Sequence, residues 1–585
     1  MLVTLNLTSV TLTDASTLPS FSTLKTLRLL SVKYPGDEFV RRLLSSCHVL
    51  EDLEVEQCND DNVTIFTVKV LSLRTASLYK SSDRCTEDED GFVIYAPSLE
   101  LLELYDYSGS FCIVEKDMPN IVDADVFVNH YPSTEILSSI TSVKRLDLCL
   151  SYSKDAYSDG SVFHRLVHLK ICTCATEWLN LLMCVLRDSP KLRAIKLRQC
   201  HDIRDEQPRP CWNEPKSVPE CLISSLETLK WVKYEGTEEQ KEVAAFIIRN
   251  GRCLKKVAIS SETTDSDKKL EMLKETAVKR GLRELSFDYW PHNTINEPSK
   301  LPQSLFTCGT LVVLKLTDVS LVDVTFPVCF QLLKTLQLSC VIYLGDETPQ
   351  KLLSSCKILQ ELDVNRVKND NVTVFSIKVP SLQKLIFDGK WGTHDGISEF
   401  VMNAPSLKFL EINDCSNECM VEKMPELVAA NPEAIYWNTD NILSSFTSVK
   451  RLSLCLAEES PFPTGEIFHQ LVDLEFCTCE TEWDLLMYFL KHSPKLRALK
   501  LNEIIGMSQS SIPESLMFSL ETLEWTTYRG WQVEKELATF LLKYSRRLKT
   551  ATISPQPTSL ENKHRMLTEL ALLSRGSTTC QLVFG

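Results

Sequence analysis

No run in the 585 residues approaches the ~18 uninterrupted apolar residues that a membrane-spanning helix needs. The opening, MLVTLNLTSVTL, lacks a positively charged segment and alternates apolar with polar residues, so it does not read as a secretory signal. Basic charge is in deficit. With 63 Lys and Arg against 78 Asp and Glu, the net charge is -15, which argues against nucleic acid or an anionic membrane as the main partner. Glycine (17) and proline (25) are too sparse for a low-complexity chain. A glycine-rich phosphate loop, a nucleophile elbow and a convincing acid/base pair are all missing, so we expect neither catalysis nor a cofactor. The chain is expected inside the cell, in cytoplasm or nucleus, with its 22 cysteines as reduced thiols rather than a disulfide framework.

What the sequence does contain is repetition. SVKRLDLCL, Ser142 to Leu150, returns as SVKRLSLCL at Ser448 to Leu456. LLSSC occurs at Leu43 and Leu352, APSL at Ala96 and Ala404, SPKLRAIKL at Ser189 against SPKLRALKL at Ser493, and SLETLKW at Ser225 against SLETLEW at Ser519. The matches keep their order, so the chain is a tandem duplication with small deletions. Each phrase also has the form apolar-x-x-apolar-x-apolar. That form recurs from Leu2 to Leu282 in the first copy and from Leu311 to Thr579 in the second, the members at Leu427 and Thr579 being weak. Its usual interval of about 22 to 28 residues is that of leucine-rich repeats. The expected fold is therefore α/β: a leucine-rich-repeat solenoid, or horseshoe, with a parallel concave sheet, in two tandem copies. A strand's period of two turns the last apolar pair inward and the residues between outward, and stacked repeats share one core.

Helical return segments are expected over Asp37 to Cys47, Thr176 to Asp188 and Thr237 to Asn250. Thr237 with Gln240 has the form of a capping box, and Gly251 is a natural stop. Trp178 and Trp483, which begin equivalent helices, read as core packing.

The phrases LVVLKL at Leu311, LLSSCKILQELDV at Leu352, APSLKFLEI at Ala404 and SVKRLSLCL at Ser448 resemble the repeat region of plant F-box/FBD/leucine-rich-repeat proteins. The segment from Glu514, ESLMFSLETLEWTTYRGWQVEKELATFLLKYSRRLKTATIS, is similar to the FBD domain, and the segment from Glu220 is its counterpart in the first copy. The resulting division is leucine-rich repeats over 1–212, an FBD-like region over 213–287, a linker over 288–300, repeats again over 301–511 and a second FBD-like region over 512–585. Family members usually open with an F-box, the helical module that docks on a Skp-type adaptor of a cullin ubiquitin ligase. Met1 aligns with Thr310, inside the first repeat, so an F-box is not expected in this chain and adaptor docking is not expected of it. Recognition of a protein substrate by the repeats is what the resemblance implies.

One cluster has ligand types suited to zinc: His164, His168, Cys172 and Cys174, with His469, Asp473, Cys477 and Cys479 in the second copy. The repeat phrase gives a simpler reading, in which His168 and Cys172 face the concave surface, as do Arg145, Asp147 and Cys149 in SVKRLDLCL. Metal binding is accordingly not assigned.

The concave positions are the candidate partner-binding surface. In the first copy they begin acidic, with Asp52, Glu54 and Glu56, then Glu103, Asp123 and Asp125. They turn basic with Arg145, His168, Lys170, Lys196, Arg198, Lys230 and Lys256. The second copy stays mainly acidic: Glu361, Asp363, Glu411 and Glu433, then Arg451, Asp473, Glu475, Lys500 and Glu524. Different charge patterns favour different partners, although such a face can also serve solubility alone. The expected function is a protein-protein interaction scaffold resembling the substrate-recognition part of an F-box type ubiquitin ligase. Two alternatives are an F-box substrate receptor whose F-box is missing through truncation or a gene-model error, and a repeat receptor for a small ligand, which would need converging polar groups in a pocket.

Overall fold

The computed structural model describes residues 2–13, 20–57, 61–80, 91–107, 111–115, 117–128, 135–150, 161–174, 178–200, 212–261, 281–289, 299–301, 303–321, 328–367, 370–389, 399–413, 418–435, 443–456, 467–477, 483–502, 512–556 and 560–585. They form two compact units, Met1–Asn296 and Glu297–Gly585. Among the described residues no helix is long and apolar enough to cross a membrane.

Each apolar phrase of the first unit yields a strand beginning two residues after its first apolar position. The strands run Thr4–Thr8, Thr26–Val32, Asp52–Gln57, Thr75–Lys80, Leu101–Asp106, Asp123–Val128, Arg145–Leu150, His168–Cys172, Ala194–Arg198, Thr228–Val232, Lys256–Ser261 and Glu284–Tyr289. Each pairs in parallel with the next. The inward rows are closed: Leu146, Leu169, Ile195 and Leu229 face the core and are all but fully buried. The apolar residue that opens each later phrase, such as Leu192 or Leu226, is buried as well and sits at the bend into the strand, whereas Leu2, which opens the first, is exposed. The second unit repeats the ladder from Val313–Thr317 to Gln581–Phe584, including strands at the two weak phrases, Ala429–Ile435 and Gln581–Phe584. Both units are therefore α/β leucine-rich-repeat solenoids.

The return side is only partly helical. Helices do form at Asp37–Ser45, Trp178–Arg187 and Glu238–Asn250. Elsewhere the return side carries short parallel sheets: Ile65–Lys69, Gly91–Tyr95 and Phe111–Val114 in the first unit, and Val374–Lys378, Glu399–Asn403 and Glu418–Val421 in the second. Their sequences, IFTVK, GFVIY and VFSIK among them, are rich in β-branched and aromatic residues, which suit a pleated surface better than a helix. Trp178 is buried and packs edge-on against Trp231 at 5.8 Å. The Trp483 side chain lies outside the described residues.

The longest helices carry an unusual cap. The Gln240 amide nitrogen of the backbone donates to Thr237 Oγ1 at 3.4 Å, one half of the expected capping box. The Gln240 side chain, however, reaches past the cap: its Oε1 accepts from the backbone N–H groups of Glu235 and Gly236 at 2.9 and 3.1 Å. In the second unit Glu534 takes this place, with Oε2 accepting from Arg529 and Trp531, both at 2.9 Å. The turn needs a left-handed residue, supplied by Gly236 (φ 71°) and Gly530 (φ 76°). Gly251 stops its helix for a different reason than a left-handed backbone: its φ is -69°, and a Cβ there would lie 2.9 Å from the Ile247 carbonyl oxygen.

Candidate functional site

The parallel register turns the outward residues into continuous rows across the open face of each sheet. In the first unit the middle row reads Arg28, Glu54, Ser77, Glu103, Asp125, Asp147, Lys170, Lys196 and Lys230, each opposite the next. The row beside it, nearer the strand starts, contains Asp52, Asp123, Arg145, His168 and Lys256. Glu56 and Arg198 lie in the third row, toward the strand ends. In the second unit Glu361, Arg451 and Asp473 occupy the first row, and Asp363, Glu411, Glu475, Lys500 and Glu524 the second. The Glu433 side chain lies outside the described residues.

Many of these charges are already paired. Arg28 Nε meets Glu54 Oε2 at 3.0 Å, Arg145 Nη2 meets Asp123 Oδ2 at 2.7 Å, and Lys170 meets Asp147. Tyr105 donates to Asp125 Oδ2 at 2.5 Å. Lys196 and Lys230 are different: among the described residues no carboxylate pairs with either. Burial pushes the Lys196 ammonium below its usual range, and the neighbouring charges of Lys230 and Arg198 add to the effect. Lys170 is lowered in the same way, by burial and by Arg198. A surface cavity of about 390 Å³ lies over these strands, between Asp123 and Arg145 at one side and Lys196, Thr228 and Lys230 at the other.

The corresponding part of the second unit has a cavity of about 530 Å³ lined by Asp473, Glu475, Lys500, Glu524, Thr550 and Thr552. The duplication places Asp473 where the first copy has His168, Glu475 for Lys170 and Glu524 for Lys230, while Lys500 keeps the cation of Lys196. Lys500 Nζ meets Glu475 Oε1 at 2.9 Å, and Asn502 also donates to it at 2.8 Å. Burial raises the Glu475 carboxyl, but these hydrogen bonds outweigh it and the net shift is downward. Asp473, without such donors, is held above its usual range by burial. One scaffold thus presents a cationic hollow in the first unit and an anionic one in the second.

One group of residues on the first face was missed in the sequence. Tyr79, Tyr105 and Phe127 follow one another in the third row, with Tyr105 stacked on Phe127 at 6.2 Å and Tyr107 against Phe127 at 4.6 Å. Reading the residue that follows each phrase, the sixth after its opening apolar residue, for aromatics as well as for charge finds them. The same row continues into Cys149, which is opposite Phe127 and only 5% exposed, and Cys172, 3% exposed. Both are on the expected side of the sheet, but neither is an open surface position: Cys174 and Cys200, just beyond their strands, pack over them. The His164, His168, Cys172 and Cys174 set is not brought together. His168 begins its strand and Cys172 ends it, about 13 Å away at the rise of a strand. Of the second-copy set, Cys479 lies outside the described residues.

Comparison with known proteins places the chain. The FBD family model matches residues 214–259 and again 508–553. The model described as "FBD-associated F-box protein At5g56370, LRR repeats" matches 270–430, and a Leucine Rich Repeat model matches 24–48. FBD-associated F-box protein At5g56370 of Arabidopsis thaliana is 57% identical over 333 residues, 53% of this chain and 77% of the relative. A probable FBD-associated F-box protein of the same plant is 59% identical over 48% of this chain and 66% of its own length, so the chain spans about two thirds of that relative. An Arabidopsis F-box/FBD/LRR-repeat protein is 44% identical over 56% of this chain and 80% of its own length. A solved circular leucine-rich-repeat structure aligns over 88% of this chain and 72% of its own, with 13% identity and a TM-score of 0.42. With two FBD segments and repeats this similar to those relatives, the chain belongs to the plant F-box/FBD/leucine-rich-repeat family.

Proposed function

We propose that the open sheet faces bind protein segments, as the substrate-recognition part of an F-box type ubiquitin ligase, and that the two units select segments of opposite charge. The observation that carries this reading is the Lys170, Lys196 and Lys230 row, whose last two ammonium groups have no carboxylate partner among the described residues. Lys196, held below its usual range by burial and by the charges of Lys230 and Arg198, regains favourable surroundings when a carboxylate arrives. The aromatic strip on the same face, whose last member Phe127 lies two strands before Lys170, supplies an apolar contact that a charged row lacks. In the second unit Asp473, Glu475 and Glu524 favour a Lys/Arg-bearing segment instead.

The test uses the full chain and a fluorescent Asp/Glu-rich peptide, with affinity read by anisotropy. The double substitution Lys196→Glu/Lys230→Glu should weaken binding at least about tenfold, since like charges then face each other. Glu475→Lys, in the other unit, should leave that affinity unchanged. Equal affinity in the wild type and the double variant would remove the proposed site.

A further inference from the structure

Three consecutive repeats of the first unit send cysteine side chains to one point at the ends of their strands. Cys149 is the last residue but one of the strand of SVKRLDLCL, Cys172 and Cys174 come from the next repeat, and Cys200 from the one after. The Sγ atoms of Cys149, Cys172 and Cys200 lie within 4.8 Å of one another. Cys174 is packed into the same group, where its sulfur accepts the Cys200 backbone N–H at 3.2 Å. Arg198 Nη2 donates to Cys200 Sγ at 3.3 Å, while Arg198 Nε is buried with no acceptor among the described residues.

We propose that Cys149, Cys172 and Cys200, with Cys174 as the fourth ligand, form a binding site for a thiophilic metal ion, Zn²⁺. Four sulfurs at ~2.3 Å from a tetrahedral zinc stand ~3.8 Å apart; the three already within 4.8 Å of one another close to this spacing with small side-chain rotations, and Cys174, packed against them, turns in as the fourth. All-sulfur donors suit this ion and exclude Mg²⁺ or Ca²⁺, which take oxygen. Each thiol that becomes a ligand loses its proton to solvent, and the resulting negative charge is offset by the ion and by the adjacent Arg198 guanidinium. The Cys200 N–H and Arg198 donors to sulfur are the hydrogen bonds that orient thiolate ligands. Cys200, half-buried, provides the path of entry. Bound there, the ion ties three stacked repeats together beside the cationic hollow. The duplication supplies a built-in control: Cys149, Cys172 and Cys174 have counterparts in Cys455, Cys477 and Cys479, but Ile504 stands in place of Cys200 and Asn502 in place of Arg198.

The full chain, reduced and stripped with a chelator, is titrated with Zn²⁺ alone and separately with Co²⁺. The expected result is one tightly bound zinc per chain and a thiolate-to-cobalt charge-transfer band. Cys200→Ile and Cys149→Ser should each weaken zinc binding at least about tenfold, because losing a ligand costs no less than losing one of its supporting hydrogen bonds. Cys477→Ser should change nothing. Circular dichroism of the metal-free variants reports folding, and Cys149→Ser, the smaller change, decides the matter if Cys200→Ile unfolds. Absence of stoichiometric zinc binding in the wild type would overturn the proposal, as would an unchanged affinity and cobalt band in a folded ligand variant.

Discussion

Arg366 and Asp370 show how much one substitution can matter in a duplicated scaffold. Both are buried, 3% and 0% exposed, and they form a two-pronged pair at 2.7 and 3.0 Å, with Arg366 also donating to the Val372 carbonyl. The first copy has Gln57 and Asp61 at these positions. Removing one partner of a buried pair leaves an uncompensated charge, so Arg366→Ala should destabilise the second unit by about 3–5 kcal/mol, read as a lower urea midpoint. At this scale the sequence was legible wherever a side chain's fate follows from strand alternation. Asp123, Lys170 and Glu475 all lie on the side their position in the phrase requires. Alternation did not reveal that Cys149 and Cys172 are covered, because the covering residues, Cys174 and Cys200, lie beyond the strands and reach back from neighbouring repeats.

The helix Gln532–Tyr544 carries the clearest pH-dependent feature at the scale of an element. Burial holds the Glu534 carboxyl above its ordinary range, even though the backbone N–H groups of Trp531, Arg529 and Gly530 and the charge of Arg529 favour ionisation. A folded-state value above the unfolded one means that the folded chain binds the proton more tightly. The associated stability is complete below the unfolded value near 4.5 and is lost as pH rises through the folded one. The first unit solves the same cap with a neutral amide, Gln240, which keeps two of these backbone bonds. Glu534→Gln should therefore raise the urea midpoint of the second unit at pH 7 and flatten its decline between acid and neutral pH. A midpoint that falls at pH 7 would show that the charged hydrogen bonds outweigh the burial. Return elements were less legible than strands of the ladder. A run such as GFVIY between two repeat phrases has no helical period, and its pairing partners, IFTVK and FCIV, are a repeat away on either side.

At the scale of the whole molecule, the FBD segments continue the repeat ladder. Thr522–Tyr528 pairs with Ala498–Asn502 before it and with Thr550–Pro555 after it, and Gln581–Phe584 closes the row. Leu548, 1% exposed, is the buried leucine at the entry to Thr550–Pro555. If each FBD segment caps the open end of its solenoid, Leu548→Ala should cost the second unit about 2–5 kcal/mol, since interface terms between neighbours hold a solenoid together. Hydrogen exchange should then accelerate from Val313–Thr317 through Phe584. Faster exchange confined to Thr522–Phe584 would show that the segment frays alone.

The sequence by itself determined the duplication, the period, the identity of the strands and the side of the sheet on which each charged residue sits. All of these follow from local spacing, and a strand's alternation leaves each residue one of two faces. Only the tertiary structure decided which charges meet, because the parallel register aligns residues two dozen positions apart. That register made one uninterrupted row of Lys170, Lys196 and Lys230, set the carboxylates of Asp473, Glu475 and Glu524 in the equivalent places, and drew four cysteines from three repeats to a single point.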